Sequence, residues 1–215
     1  MLAFLLMGMA GCASWRSGFQ PPGLRASATA LHLPAPPGAE DVYLLGLIDE
    51  QGRLKDWLVA GSTTPEAETL AVTGLRQLQF EAGSLEGASW PGVLGIHFVF
   101  RGGRLELEPQ NPDLFRVSAT RAPTDAVMRV YQRELLDRTP ALLRDVPPQA
   151  AGRGRVVVQF WVDQTGTVRL PTVIATEDLK LARAALAAVA QWRFSVPMRK
   201  GRPSLAVFRQ EIEFR

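Results

Sequence analysis

Val156-Val157-Val158-Gln159-Phe160-Trp161-Val162-Asp163-Gln164-Thr165-Gly166-Thr167-Val168 is the stretch on which the fold of this 215-residue chain turns. Val156, Val158, Phe160 and Val162 alternate with Val157, Gln159, Trp161 and Asp163, the period-two pattern of a strand, and both faces of that strand are largely apolar. Asp163-Gln164-Thr165-Gly166 then reverses the chain, with Gly166 supplying the backbone freedom a tight turn demands, and residues 168–174 form the returning strand. Thr176 or Asp178 can cap the helix that follows, where Ala182, Ala185, Leu186, Val189 and Trp192 recur at three- and four-residue steps as one apolar stripe. After Trp192-Arg193-Phe194, a loop holding Pro197, Gly201 and Pro203 leads to a last strand, Leu205-Ala206-Val207-Phe208-Arg209-Gln210-Glu211-Ile212-Glu213-Phe214. The expected unit is ββαβ, an α+β arrangement of one helix on a small antiparallel sheet.

The same order recurs upstream. Asp49-Glu50-Gln51-Gly52 precedes Asp163-Gln164-Thr165-Gly166 by 114 residues (163 minus 49). Val59 and Val173, Ala71 and Ala185, Gln77 and Gln191, Phe80 and Phe194, Gly87 and Gly201, Val93 and Val207, Phe100 and Phe214, and Arg101 and Arg215 keep that spacing without a gap, which reads as a tandem duplication. In the first copy, strands are expected at 43–49 and 54–60, a helix at 65–78 and a closing strand at 93–101. Thr64 at the cap, Pro65 in the first helical position, and Glu66 and Glu68 near the positive helix end mark where that helix starts. Behind the closing strand, Gly102-Gly103 and the alternating Arg104-Leu105-Glu106-Leu107-Glu108 predict an extra hairpin that folds back over its outer edge. Between the copies, Val127, Val130, Tyr131 and Leu135 predict an amphipathic helix over 125–137, capped by Thr124 and stopped by Pro140.

Composition narrows the chemistry. The net charge of +3 comes from scattered arginines with no block of consecutive bases, which argues against nucleic acid as a partner. A single cysteine forms no intramolecular disulfide and no thiolate zinc cluster. Only His32 and His97 are available as histidines; the first lies in a proline-rich segment and the second in an alternating strand, so neither reads as a general base or a metal ligand. Asp49 and Asp163 occupy equivalent turns, where a carboxylate bonds nearby backbone N–H groups. Gly152-Arg153-Gly154-Arg155 precedes a strand with no helix directly behind it, unlike a phosphate-binding loop. The expectation is a protein without catalytic residues, metal or cofactor.

Met1 to Gly11 is an apolar run too short to cross a bilayer of about 30 Å at roughly 1.5 Å per helical residue, and it reads as a signal-peptide core. Its end, Met9-Ala10-Gly11-Cys12, resembles the lipobox of bacterial lipoproteins. That resemblance implies lipidation at Cys12, and Ala13 in the next position, in place of Asp, points the anchor towards the outer membrane. Residues 13–40, with Pro21-Pro22, Pro34 and Pro36-Pro37, read as a tether.

The second copy resembles the C-terminal domain of the TonB family of energy transducers, over residues 140–215 strongly and 42–101 weakly. The motifs that carry the resemblance are the valine-rich strand with Asp163 and Gly166, the run Gln191-Trp192-Arg193-Phe194 followed by Pro197, and Gly201-Arg202-Pro203 before Ile212-Glu213-Phe214. The family's Tyr-Pro motif ahead of the first strand is absent, with Pro140 and Pro147-Pro148 standing in that region. The resemblance implies a three-stranded antiparallel sheet with one helix, in the periplasm of a Gram-negative bacterium, whose last strand lies at an edge. In the family that edge pairs with an extended peptide of an outer-membrane receptor, the chemistry of strand addition. The expected organisation is a leader (1–12), a tether (13–40), a degenerate repeat (41–122), a connector (123–150) and a TonB C-terminal-like domain (151–215). The expected function is a lipid-anchored, periplasm-facing adaptor in envelope transport that binds an envelope protein or receptor peptide along residues 205–214; the rival is a structural or self-associating scaffold lipoprotein with no link to TonB-dependent transport, which holds an envelope complex together or pairs with a second copy of itself through that strand.

Overall fold

The computed structural model describes residues 18–25, 38–101, 104–110 and 128–215. The first half contains β1 (Asp41–Ile48), β2 (Leu54–Ser62), α1 (Pro65–Leu75), β3 (Gly92–Arg101) and β4 (Arg104–Gln110). The second contains β5 (Val130–Gln132), β6 (Gly154–Val162), β7 (Val168–Thr176), α2 (Leu179–Val189) and β8 (Leu205–Phe214). One sheet has the order β2-β1-β3-β4 and the other β7-β6-β8-β5; β5 is a fourth strand in the second sheet, where three were expected. All neighbours are antiparallel except β5, which runs parallel to β8. β2 and β7 have the same length 114 residues apart (168 minus 54), as do α1 and α2 (179 minus 65).

Both helices begin where polar side chains replace missing intrahelical acceptors. Thr64 Oγ1 accepts from Ala67 N at 3.1 Å, and Asp178 Oδ1 accepts from Lys180 N at 2.7 Å. Asp178 is therefore the cap, while Thr176 Oγ1 accepts from Asp178 N and braces it. Each helix stops before its apolar stripe does: Leu78 and Trp192 lie beyond Leu75 and Val189, in the exit turns, yet both are buried. α1 covers one face of its sheet through Ala67, Ala71 and Leu75 against Val42, Leu44, Ile96 and Phe98. α2 does the same through Leu181, Ala182, Ala185 and Val189 against Val156, Val158, Phe160 and Ile212.

The remaining faces of the two sheets pack against each other, which explains why β6 is apolar on both sides. Leu45, Leu58, Ala60 and Val93 of the first sheet meet Trp161, Leu170, Leu205 and Val207 of the second. The layers run helix, sheet, sheet, helix. Fully burying such side chains contributes about 1.5–3 kcal/mol each, so this layer outweighs the polar contacts around it. Those contacts fix the register: Arg169 grips Asp56 with two nitrogens, Arg183 Nη1 donates to Glu50 at 2.8 Å, and Thr172 Oγ1 donates to the Pro91 carbonyl at 3.1 Å. Leu85 and Trp90, from a hairpin of the first half, join the core under α2, and the Arg183 guanidinium lies 5.0 Å from the Trp90 ring centroid.

The helix expected over 125–137 is absent where that segment is described. Met128 bridges to Gly61 at the end of β2, and β5 pairs with the start of β8, after which residues 133–135 make a single 3₁₀ turn. Arg129 N donates to Ala60 O at 2.7 Å, and Leu205 N donates to Arg129 O at 3.1 Å, so the segment joins both sheets as extended chain. The apolar residues that suggest a helical stripe are buried instead as a strand: Met128, Val130 and Tyr131 all enter the layer between the sheets. Two unpaired strand ends outcompete a short helix whose propensity is weak at Val and Tyr.

The two Asp-x-x-Gly turns are built alike. Asp49 Oδ1 accepts from the backbone N of Gln51 and Arg53, and Asp163 Oδ1 from that of Thr165 and Thr167. Burial alone would push both carboxyls up, but these hydrogen bonds, with Arg53 beside Asp49 and Thr165 Oγ1 and Arg169 beside Asp163, hold them below the ordinary carboxylate range. Gly52 and Gly166 have φ of 76° and 81°, and a Cβ would stand 2.6 Å from Phe80 O and 2.0 Å from Phe194 O respectively. The hairpins behind them also match, with positive φ at Glu86 and Gly87 and at Lys200 and Gly201, as two-residue turns of right-handed twist require.

Gly166→Ala is expected to lose about 3 kcal/mol or more from the left-handed backbone and the clash, and Gly52→Ala less, in denaturant titrations. Depressed carboxyl pKa values stabilise the fold above the ordinary value of about 3.9 and cease to do so as pH falls through the lower folded values. The thermal midpoint should therefore fall below about pH 4, and Asp163→Asn should flatten that fall. Trp161→Ala should cost about 3–5 kcal/mol and split one unfolding transition into two, as seen by calorimetry.

Candidate functional site

β8 is paired along its whole inner side. Its residues 206–214 lie opposite 162–154 of β6 without a register shift. Leu205 N is bonded on the other side, to Arg129, so strand alternation aims the backbone groups of 206, 208, 210, 212 and 214 at β6 and those of the odd-numbered residues outward. β5 takes up the outward side only at Leu205, Ala206 and Val207. The expected edge at residues 205–214 is thereby corrected to 208–214, because Val130 and Tyr131 are drawn into the layer between the sheets and bring their backbone to the start of β8. Beyond Val207 no described strand lies along it. In the first half the corresponding side of β3 is paired with β4 from Gly95 to Arg101.

The side chains along the open stretch divide by face. Ile212 and Phe214 are buried towards α2, and Phe208 stacks on Phe160 and Phe194 with centroids 5.6 and 5.5 Å apart. On the other face, Arg209 Nε donates to Gln159 Oε1 at 2.7 Å, Glu211 lies 3.7 Å from Arg155, and Glu213 lies 3.4 Å from Arg215. The Glu211 carbonyl accepts from Gln210 Nε2 at 2.9 Å. A strand docking here would meet an apolar, aromatic face on one side and alternating charges on the other.

The motif residues singled out in the sequence hold this edge in place from beneath. Trp192 is buried, and its indole Nε1 donates to Val146 O at 2.9 Å. Arg193 is exposed; it bridges Thr167 and pairs with Arg144, while Phe194 pairs with Leu142. Phe194 N donates to Gly166 O at 2.8 Å, which locks the turn containing Asp163 onto the helix exit. Buried Pro197 accepts from Ser204 N at 2.9 Å just before β8 starts, and Gly201 forms the intervening turn. Asp137 caps that turn by accepting from Lys200 and Gly201 backbone nitrogens, which hold its carboxyl below the usual range.

His97 stacks on Tyr43 at 4.3 Å and lies 2.6 Å from Asp41 Oδ1, bracing adjacent strands. Cys12 and His32 lie outside the described residues. Among the described residues, no group of three or more His, Cys, Asp or Glu is placed to hold a metal. Sequence patterns did not reveal β5, whose pairing is what shortens the exposed edge. No curated protein and no solved structure matches the chain. Residues 148–215, which hold β6, β7, α2 and β8, match the family model of the Gram-negative bacterial TonB protein C-terminal.

Proposed function

We propose that the chain is a protein-binding component of the Gram-negative cell envelope, facing the periplasm, and that it engages an extended segment of a partner by strand addition along residues 208–214. The observation that carries this reading is the difference between the two halves: β4 lies along the outer edge of β3, whereas β5 accompanies β8 for three residues only. A partner strand laid in line with β5 would find the outward backbone of Glu211 and Glu213 and the aromatic face of Phe208 beside it. The family match of residues 148–215 supports the placement in an envelope interaction, and the lipobox-like Cys12 supports anchoring to the membrane, on the outer-membrane side.

The first half is, in this reading, a diverged copy of the same unit. Equal element lengths at one spacing, the paired glycine turns and the paired hairpins support it. Its β3 edge is covered by β4 and its sheet face is used against the second half, so of the two closing strands, β3 and β8, only β8 keeps an open stretch among the described residues.

Photo-crosslinking from position 213 in envelope extracts, with Glu211→Pro and Glu211→Ala variants compared, tests the proposal. The proline removes an outward N–H without touching the ladder to β6, so capture should be lost with proline and kept with alanine. In hydrogen exchange, the amides of Glu211 and Glu213 should exchange about tenfold faster or more than those of residues 96–100, and slow when partner is bound. Capture indifferent to the proline overturns strand addition; a crosslink joining two copies of the chain replaces the adaptor with a self-pairing scaffold.

A further inference from the structure

A groove of about 500 Å³ opens in the first half between the Asp49–Gly52 turn and the C-terminal end of α1, with Arg25, Arg53, Trp57, Arg76 and Leu78 on its walls. We propose that this groove binds a small anionic molecule, setting a phosphate, sulfonate or carboxylate against the guanidinium groups of Arg25 and Arg76 and an apolar, planar body beside Trp57.

The second half supplies an internal comparison. At 114 residues from Leu78 stands Trp192, a buried side chain whose indole Nε1 donates to Val146 O at 2.9 Å. Leu78, smaller and without a polar end, lies on the wall of the groove. The walls differ in charge as well: Thr167, Pro171 and Ala190 stand at the positions of Arg53, Trp57 and Arg76. The cation that the second half does carry there, Arg193 at the position of Gln79, donates to the Trp192 carbonyl at 2.9 Å. In the first half, cations and an open volume occur together.

Arg53 is engaged by Asp49 at 2.9 Å and by Gln51 at 2.8 Å. Arg76 lies over Trp57, its Cζ 4.8 Å from the ring centroid, and neither Arg76 nor Arg25 has a carboxylate partner among the described residues. Like charges gathered on one rim raise the local potential, and an anion relieves it while taking the paired N–H donors of a guanidinium fork. The stacked arginine and indole offer a flat surface to the rest of the ligand, and the volume suits a molecule of drug size.

The test is a fluorescence titration of the whole chain with 8-anilinonaphthalene-1-sulfonate, a planar anion, alongside N-phenyl-1-naphthylamine, its uncharged relative, and inorganic phosphate as competitor. Saturable one-to-one binding of the sulfonate, weakened by phosphate and weaker for the neutral dye, is expected. Arg25→Gln combined with Arg76→Gln should weaken it about tenfold or more, the usual worth of a charge-assisted contact. Leu78→Trp should fill the groove and abolish binding, with the thermal midpoint lowered by the added bulk at a buried position. If Leu78→Trp does not fold, the exposed arginine pair decides. Equal affinity for the neutral dye, or an affinity indifferent to the arginine substitutions, overturns the proposal.

Discussion

The apolar layer between the two sheets is the constraint from which the rest of the architecture follows. A four-stranded sheet with one helix buries one face and leaves the other to water, and here both free faces are rich in large apolar side chains. Trp161 and Leu170 of one half and Leu45 and Leu58 of the other leave water together. That shared burial fixes the halves face to face and dictates that ion pairs such as Arg169 with Asp56 sit around the layer. It also draws Val130 and Tyr131 inward, so that the connector becomes a strand and covers the first part of β8. The extent of the open edge is thus set from within the protein, by where an apolar connector finds its burial.

Local chemistry made much of this legible. The Asp-x-x-Gly turns, the Thr64-Pro65 helix start and the alternation of β6 and β8 are short-range signals, each satisfied by neighbours within a few residues, and the structure places the elements where those signals put them. The two-faced apolar pattern of β6 already implied that something besides a helix covers it, though not what. The connector was misread because a helical stripe and a doubly buried short strand carry the same apolar residues, and only tertiary pairing decides between them. Helix ends were misjudged for a related reason: Leu78 and Trp192 are buried from the exit turns, so burial continues where helical geometry has stopped.

The two halves share turns whose surroundings differ. The turns with positive φ are held in common, since a Cβ at Gly52 or Gly166 would collide with a carbonyl oxygen. Side chains at the helix exit are free to differ, because Trp192 or Leu78 can each close the core beneath. The surfaces differ: Trp192 bonds Val146 in one half, and a groove with arginines on its walls opens in the other.

The pairing of β8 has a mechanical side. A partner strand lying along the outer edge would transmit any pull parallel to β8, and β8 is fastened to β6 over nine antiparallel positions with no bulge. Load applied in that direction shears the whole ladder at once, so its hydrogen bonds resist together, whereas a pull across the sheet would open them one after another from an end. Val207, Leu205 and Trp161 below the ladder oppose peeling at the end where β5 also holds. The protein is built to be strong along one axis and compliant along another, with the strong axis parallel to the strand it leaves exposed.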